Sequence, residues 1–268
     1  LPDIGIPVII TRDGRKALSA VSANFFGRPS DEMLVFGVTG TNGKTTTTYL
    51  IKAIADEWGK ECGVLGTIAY LYGGQRFESV NTTPESFELQ RMFADMHRKY
   101  NTDVCAMEVS SHSLALSRTD DISFDYSVFT NLTPDHMDFH KDFEDYYSAK
   151  KKLFLQTSGC SVINIDDPYG RRLFDELKAE GRPVKSCGVK TETADYRALV
   201  HEKSVTGTTA EIFRDGISQG ELRINTPGTF SVENAVGAAG AALEAGIPWE
   251  AVKAGIEKTR GVAGRFES

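Results

Sequence analysis

Between residues 33 and 189, short apolar runs alternate with longer amphipathic stretches. The runs Met33–Val38, Glu61–Thr67, Asp103–Val109, Phe124–Thr130, Cys160–Ile165 and Val184–Val189 predict strands. Between them, Lys44–Trp58, a stretch opened by Asn81-Thr82-Thr83-Pro84 and running to about Tyr100, Asp142–Leu155 and Tyr169–Ala179 predict helices. Phe87, Met92 and Met96 are available for the apolar face of the second of these. Such alternation implies an α/β fold with a doubly wound, mostly parallel sheet. Tyr70–Val80 reads as a hairpin turning at Gly73-Gly74. From about 196 to 226 the pattern changes to short alternating runs with turns at Thr206-Gly207 and Asp215-Gly216, which predicts a small antiparallel β sheet. Ser231–Ala245, rich in Ala and Gly for close packing, and Trp249–Lys258 predict two closing helices. At the front, Pro7–Ile10 suggests a short strand. Asp13–Phe26 suggests a helix with Ala17, Leu18, Val21 and Phe25 on one face. Residues 1–30 thus read as a βα segment entering from a preceding domain, and 31–268 as the main domain.

At 268 residues the chain is long enough for a substantial core, and its 40% hydrophobic and 25% charged residues are ordinary for a globular protein. The net charge of −7 argues against a general nucleic-acid surface, so any polyanionic ligand needs local positive charge. Cys62, Cys105, Cys160 and Cys187 are scattered without a C-x-x-C spacing, as expected of buried reduced thiols in a cytoplasmic protein. No signal peptide is recognisable at the start, and no apolar run is long enough to insert in a membrane.

The run Val35–Val38 ends in Thr39-Gly40-Thr41-Asn42-Gly43-Lys44-Thr45-Thr46, and a helix follows at once. That is the layout of a strand feeding a phosphate cradle: small residues turn backbone N–H groups toward an anion, Lys44 neutralises the outer phosphates, and the Thr45 hydroxyl can hold Mg²⁺. Val38 stands where the general P-loop pattern has its first glycine, with Gly37 and Gly40 to either side.

In a doubly wound sheet ligands bind beyond the carboxyl ends of the strands. The polar tails found there gather into one candidate site. Glu108 ends the run Val104–Met107 and suits a hard cation. His136 sits between Asp135 and Asp138, a cluster without zinc spacing. His112 and His140 read as structural hydrogen-bonding groups, and His97 and His201 as surface residues. Asn81-Thr82-Thr83-Pro84 suits an anionic substrate or a plain helix cap. Arg118 is spaced to clamp a carboxylate. By periodicity Lys150 belongs to a solvated basic face with Lys151 and Lys152.

Taken together, the glycine loop, Met107-Glu108-Val109-Ser110-Ser111-His112, Thr130-Asn131-Leu132 with Asp135-His136, and Ala149-Lys150 resemble the Mur ligases. Asn81-Thr82-Thr83-Pro84 is similar to the branch that adds the third amino acid to UDP-MurNAc-L-Ala-D-Glu. The resemblance implies an ATP-dependent amide ligase of peptidoglycan precursor synthesis, which phosphorylates the dipeptide carboxylate and lets L-lysine or meso-diaminopimelate attack the acyl phosphate. It implies that Gly40, Thr41, Asn42, Gly43, Lys44, Thr45 and Thr46 hold ATP, with Asn234 at the adenine and Arg265 at the phosphates or ribose. It implies Thr45, Glu108, His136 and a carbamylated Lys150 around Mg²⁺, with Lys44, Glu108, His136 and Lys150 as the catalytic set. Asn81, Thr82, Thr83, Ser110 and Arg118 would contact the UDP-muramoyl peptide. Leu116 departs from the pattern, since some relatives carry a substrate-touching glutamine there. The resemblance further implies a monomer in which this chain is the central ATP-binding domain, with the amino-acid-selecting domain outside it and little ligase activity alone. The alternatives are another ligase of the superfamily, of folylpolyglutamate or cyanophycin synthetase type, and a module that binds ATP without chemistry.

Overall fold

A computed structural model describes residues 5 and 8–261. The strand β1 (Leu34–Thr39) lies inside the sheet, with β5 (Val104–Glu108) and β6 (Phe124–Phe129) parallel to it on either side. Beyond β5 comes β2 (Cys62–Leu65), and beyond β6 come β7 (Thr157–Asn164) and β8 (Val184–Gly188), all parallel. Chain order reverses about β1, because β2 lies to one side and β6 to the other. That is the switch point at which α/β sheets bind ligands.

Both faces of this sheet are covered, so its strands are apolar on both sides. Phe36 and Val38 of β1 face the helices α2 (Lys44–Glu57), α7 (Thr229–Glu244) and α8 (Trp249–Lys258). Met33 and Val35 belong to the opposite layer, with α3 (Ser86–Tyr100), α5 (Phe143–Gln156) and α6 (Pro168–Ala179). The expected small-residue packing of α7 is present: a Cβ on Gly240 would meet Tyr196 Cδ2 at 3.0 Å.

The hairpin forms as expected, from β3 (Tyr70–Tyr72) and β4 (Gln75–Phe77), with Gly73 and Gly74 at φ of +59° and +67°. The antiparallel strands β9 (Tyr196–Ser204), β10 (Gly207–Arg214) and β11 (Ile217–Ile224) are not a separate sheet. Two parallel pairings, Cys187 with Tyr196 and Gly188 with Arg197, join β9 to β8, giving one eleven-stranded sheet among the described residues. Tyr196, Ala198, Ala210, Ile212, Leu222 and Ile224 face α7 and α8, while Leu199 and Ile217 are exposed. Cover on one face alone explains the sequence alternation there.

Two expectations at the front fail. Residues 8–10 form no strand, and Pro7 lies outside the described residues. The helix α1 (Gly14–Phe26) forms, capped by Asp13, but it buries Ser19, Ser22 and Ala23 and turns Leu18, Val21 and Phe25 outward. Its small face lies against α3, where Phe26 packs on Phe87 at 5.2 Å. Small side chains let the two helices approach, a preference that apolar periodicity does not register.

Candidate active site

The loop after β1 is shaped by glycines with two separate tasks. Gly40 has φ +149°, and a Cβ there would fall 1.9 Å from Thr130 Oγ1. Gly43 has φ +89°, and a Cβ would fall 2.3 Å from Asn234 Oδ1. Only glycine fits these positions. Gly37 is different. It lies within β1, where Phe124 and Leu153 press to 2.8 and 2.9 Å of its would-be Cβ. The Gly-x-x-Gly-x-x-Gly spacing therefore combines one packing glycine with two loop glycines.

Two lysines converge on the loop. Lys44 Nζ donates to the carbonyls of Gly40 and Thr41 at 2.9 and 2.8 Å. Lys150 Nζ donates to the same Gly40 carbonyl at 2.9 Å and sits 4.6 Å from the Tyr146 ring centre. Lys150 is only 2% exposed, which corrects its reading as a solvated face. Burial, followed by the charge of Lys44, holds its amine well below the usual lysine range, with Asp135 opposing. Tyr146, Lys150 and Phe154 recur every fourth residue on the buried face of α5, and that spacing marks Lys150 in the sequence.

Glu108 is 1% exposed at the end of β5. Its Oε1 accepts from Thr45 Oγ1 at 2.9 Å and from the Thr67 amide at 3.0 Å, and its Oε2 accepts from Thr67 Oγ1 at 3.0 Å. Thr67 was missed from sequence, as was Gly66, whose missing Cβ leaves room for the carboxylate 2.3 Å away. Neither residue carries a motif. The Thr45 hydroxyl and Glu108 carboxylate are hard oxygen donors of the kind Mg²⁺ takes. Among the described residues no group of three or more His, Cys, Asp or Glu is placed to hold a metal by itself. A cation here would therefore draw on Thr45, Glu108 and ligand oxygens.

A cavity of about 200 Å³ is lined by Asn81, Thr82, Thr83, Ser110, His112, Arg118 and His136, so all five expected substrate residues meet His136 there. The expected helix cap at 81–84 is corrected: the N-cap of α3 is Glu85. Residues 81–84 are instead braced on the sheet, with Thr83 Oγ1 donating to the Glu108 carbonyl at 2.8 Å and Tyr70 Oη to the Asn81 carbonyl at 2.6 Å. Arg118 donates to the Thr83 carbonyl at 3.0 Å and pairs with Glu85 at 2.7 Å. His136 adopts φ +55° and stands 3.4 Å from Asp135. Burial and the neighbouring His136 hold His112 below the usual histidine range.

A second cavity, of about 250 Å³, lies on the β7 side, lined in part by Asn42, Asn131, Asn164, Asp166, Lys190 and Glu233. Asn131 Oδ1 accepts the Asn42 amide at 2.9 Å, and Asn234 on the first turns of α7 abuts Gly43. Arg265 lies outside the described residues.

Fold and loop together define a doubly wound α/β domain of the phosphate-loop class. The chain belongs to the Mur ligase family: residues 38–242 match the Mur ligase middle domain. It is 46% identical over 261 residues to UDP-N-acetylmuramoyl-L-alanyl-D-glutamate--2,6-diaminopimelate ligase 1 of Clostridium acetobutylicum, covering 97% of this chain and 52% of that protein. It is 43% identical over 265 residues to the corresponding ligase of Clostridium botulinum, covering 97% of this chain and 52% of that protein. Among solved structures, one UDP-N-acetylmuramoyl-L-alanyl-D-glutamate--2,6-diaminopimelate ligase superposes with TM-score 0.83 at 26% identity, over 94% of this chain and 52% of that one. The chain thus spans about half the length of the curated relatives it matches.

Proposed function

We propose that this chain is the nucleotide-binding and catalytic part of an ATP-dependent amide ligase that joins 2,6-diaminopimelate to UDP-MurNAc-L-Ala-D-Glu. The observation that carries this reading is the meeting of two lysines, a Thr45–Glu108 pair and the Asn81–Arg118 cavity at one switch point. The names of the relatives at 43–46% identity support diaminopimelate over lysine as the incoming amino acid. A cytoplasmic setting suits four buried free thiols.

The chemistry is phosphoryl transfer followed by acyl transfer. A dipeptide carboxylate oxygen attacks the γ-phosphorus of ATP and ADP leaves. The amino acid's nitrogen then attacks the acyl carbon, expelling phosphate and losing a proton. The residues position the reactants and neutralise charge. Loop amides and Lys44 cradle the phosphates, and Asn234 reaches toward the base. Arg118 offers its guanidinium to the dipeptide, His136 lines the same cavity, and Thr45 and Glu108 with ligand oxygens would hold Mg²⁺, which when bound neutralises charge on the transferring phosphoryl group. Burial holds the Lys150 amine well below the usual lysine range, which favours the unprotonated form that adds to CO₂. A C–N bond forms, a proton leaves to water, and the amine becomes a carbamate able to support the metal. The test is the full-length protein incubated with ATP, Mg²⁺, the UDP-MurNAc-dipeptide and diaminopimelate, with mass spectrometry for the tripeptide. ADP release and product that require both substrates are expected. Product with neither diaminopimelate nor lysine sinks the reading.

A further inference from the structure

From Thr133 to Asp142 every residue except His140 is exposed. This stretch presents His136, whose left-handed φ of +55° a β-carbon disfavours, so something must hold it. His140, 3% exposed, is where the stretch is pinned. Its Nδ1 lies 3.1 Å from Asp145 Oδ2, and its Nε2 lies 2.9 Å from Ser111 Oγ. A carboxylate only accepts, so Nδ1–H donates to Asp145, and Nε2 faces the Ser111 hydroxyl. The His140 amide also donates to the His136 carbonyl at 3.0 Å.

The row Ser111–His140–Asp145 has the connectivity of a nucleophilic triad. Ser111 is 1% exposed, however, so its oxygen meets no substrate. The row connects three elements. Ser111 opens α4 (Ser111–Ala115), directly after Ser110, which lines the substrate cavity. Asp145 lies in the first turn of α5, the helix that carries Lys150. The ring of His140 packs 5.0 Å from Tyr146 and 5.9 Å from His112.

We propose that His140 is a positioning residue: held between Ser111 and Asp145, it fixes the exposed loop that presents His136 and sets that loop in register with Ser110 and His112. The ligase reading enters only in naming what the site acts on.

The test uses the full-length protein labelled with ¹³C at histidine Cε1, with His140→Ala, His140→Asn and Ser111→Ala. Asn can still reach Asp145, and Ser111→Ala removes a single bond, so both keep the test alive should the alanine variant fail to fold. The His136 and His112 resonances are expected to shift in His140→Ala and to return toward the wild-type positions in His140→Asn. Turnover is expected to fall about 10- to 100-fold in His140→Ala while KM for ATP stays within about threefold, since a loop displaced by an ångström costs rate more than nucleotide binding. Unmoved His136 resonances in a folded variant overturn the proposal whatever the ligase assay gives, and so does unchanged turnover. If the unmutated protein ligates nothing, that counts against the ligase reading alone, and the resonances decide this one.

Discussion

At the scale of single residues, Lys150 shows a conflict between stability and chemistry. Burying an ionisable amine is costly, since its pKa is held well below the usual lysine range, and its acceptor, the Gly40 carbonyl, is also reached by Lys44. Lys150→Met keeps the side-chain length and removes the buried ionisable group without orphaning that carbonyl. Calorimetry is expected to show a gain of about 1–3 kcal/mol at neutral pH, by analogy with buried charges replaced by apolar groups, and ligation is expected to vanish. A lower melting temperature would mean that the amine stabilises the fold. The loop glycines predict the opposite sign. Gly40→Ala must move Thr130, 1.9 Å from the added carbon, at a φ of +149°. A loss of about 2–4 kcal/mol in a denaturant titration is expected, from backbone strain and overpacking together. The sequence marked Lys44 and Glu108 because their types and their places after apolar runs carry chemistry, whereas Lys150 read as a solvated face by periodicity and stood out only through the family resemblance. It could not mark Thr67 or Gly66, which matter through a contact across 41 or 42 residues of chain.

At the scale of elements, periodicity located each central parallel strand, because burial on both faces leaves long apolar runs, and the longer helices between them, but not the five-residue α4. It failed where packing is made by small residues, on α1, and where a strand pairs with only two residues, at β8–β9. Electrostatics between helices was equally invisible. Glu176 on α6 accepts from Arg172 Nε at 2.8 Å, Tyr147 Oη at 2.8 Å and Lys151 Nζ at 3.0 Å, tying α6 to α5. Burial alone would raise its carboxyl, but these donors outweigh it and bring the group from 4.5 to about 2. A folded-state pKa below the unfolded one contributes stability that is fully present above pH 4.5 and is lost as pH falls toward 2. With Glu176 30% and Arg172 44% exposed, solvent screens the gain to about 1–2 kcal/mol. Glu176→Gln is expected to flatten the fall of melting temperature between pH 5 and pH 2. An unchanged acid limb would assign that loss to other carboxylates.

At the scale of the whole molecule, the sheet is one piece and its switch point sets the site. The cavity on the α3–α4 side and the cavity on the β7 side flank the same loop, and Thr133 and His136 of one connection line one each. A ligand spanning both cavities would touch the connections after β1, β5 and β6 and the start of α7 together, so its binding would be coupled to global unfolding. At ATP·Mg²⁺ a hundredfold above its dissociation constant, linkage adds about 2.7 kcal/mol. For a domain of this size that is about 5–10 °C in melting temperature. Lys44 is half-buried and its ammonium donates to the Gly40 and Thr41 carbonyls, bonds worth about 0.5–1.5 kcal/mol each, so Lys44→Ala is expected to lower the unliganded melting temperature by no more than about 5 °C. The same variant is expected to lose most of the nucleotide-dependent shift, because in the proposed function Lys44 supplies the charge that meets the outer phosphates. Scanning calorimetry of both proteins with and without ATP·Mg²⁺ separates the two effects. A nucleotide shift that survives in Lys44→Ala would move the phosphates off this loop, and with them the reading of the switch point as the site of carboxylate activation.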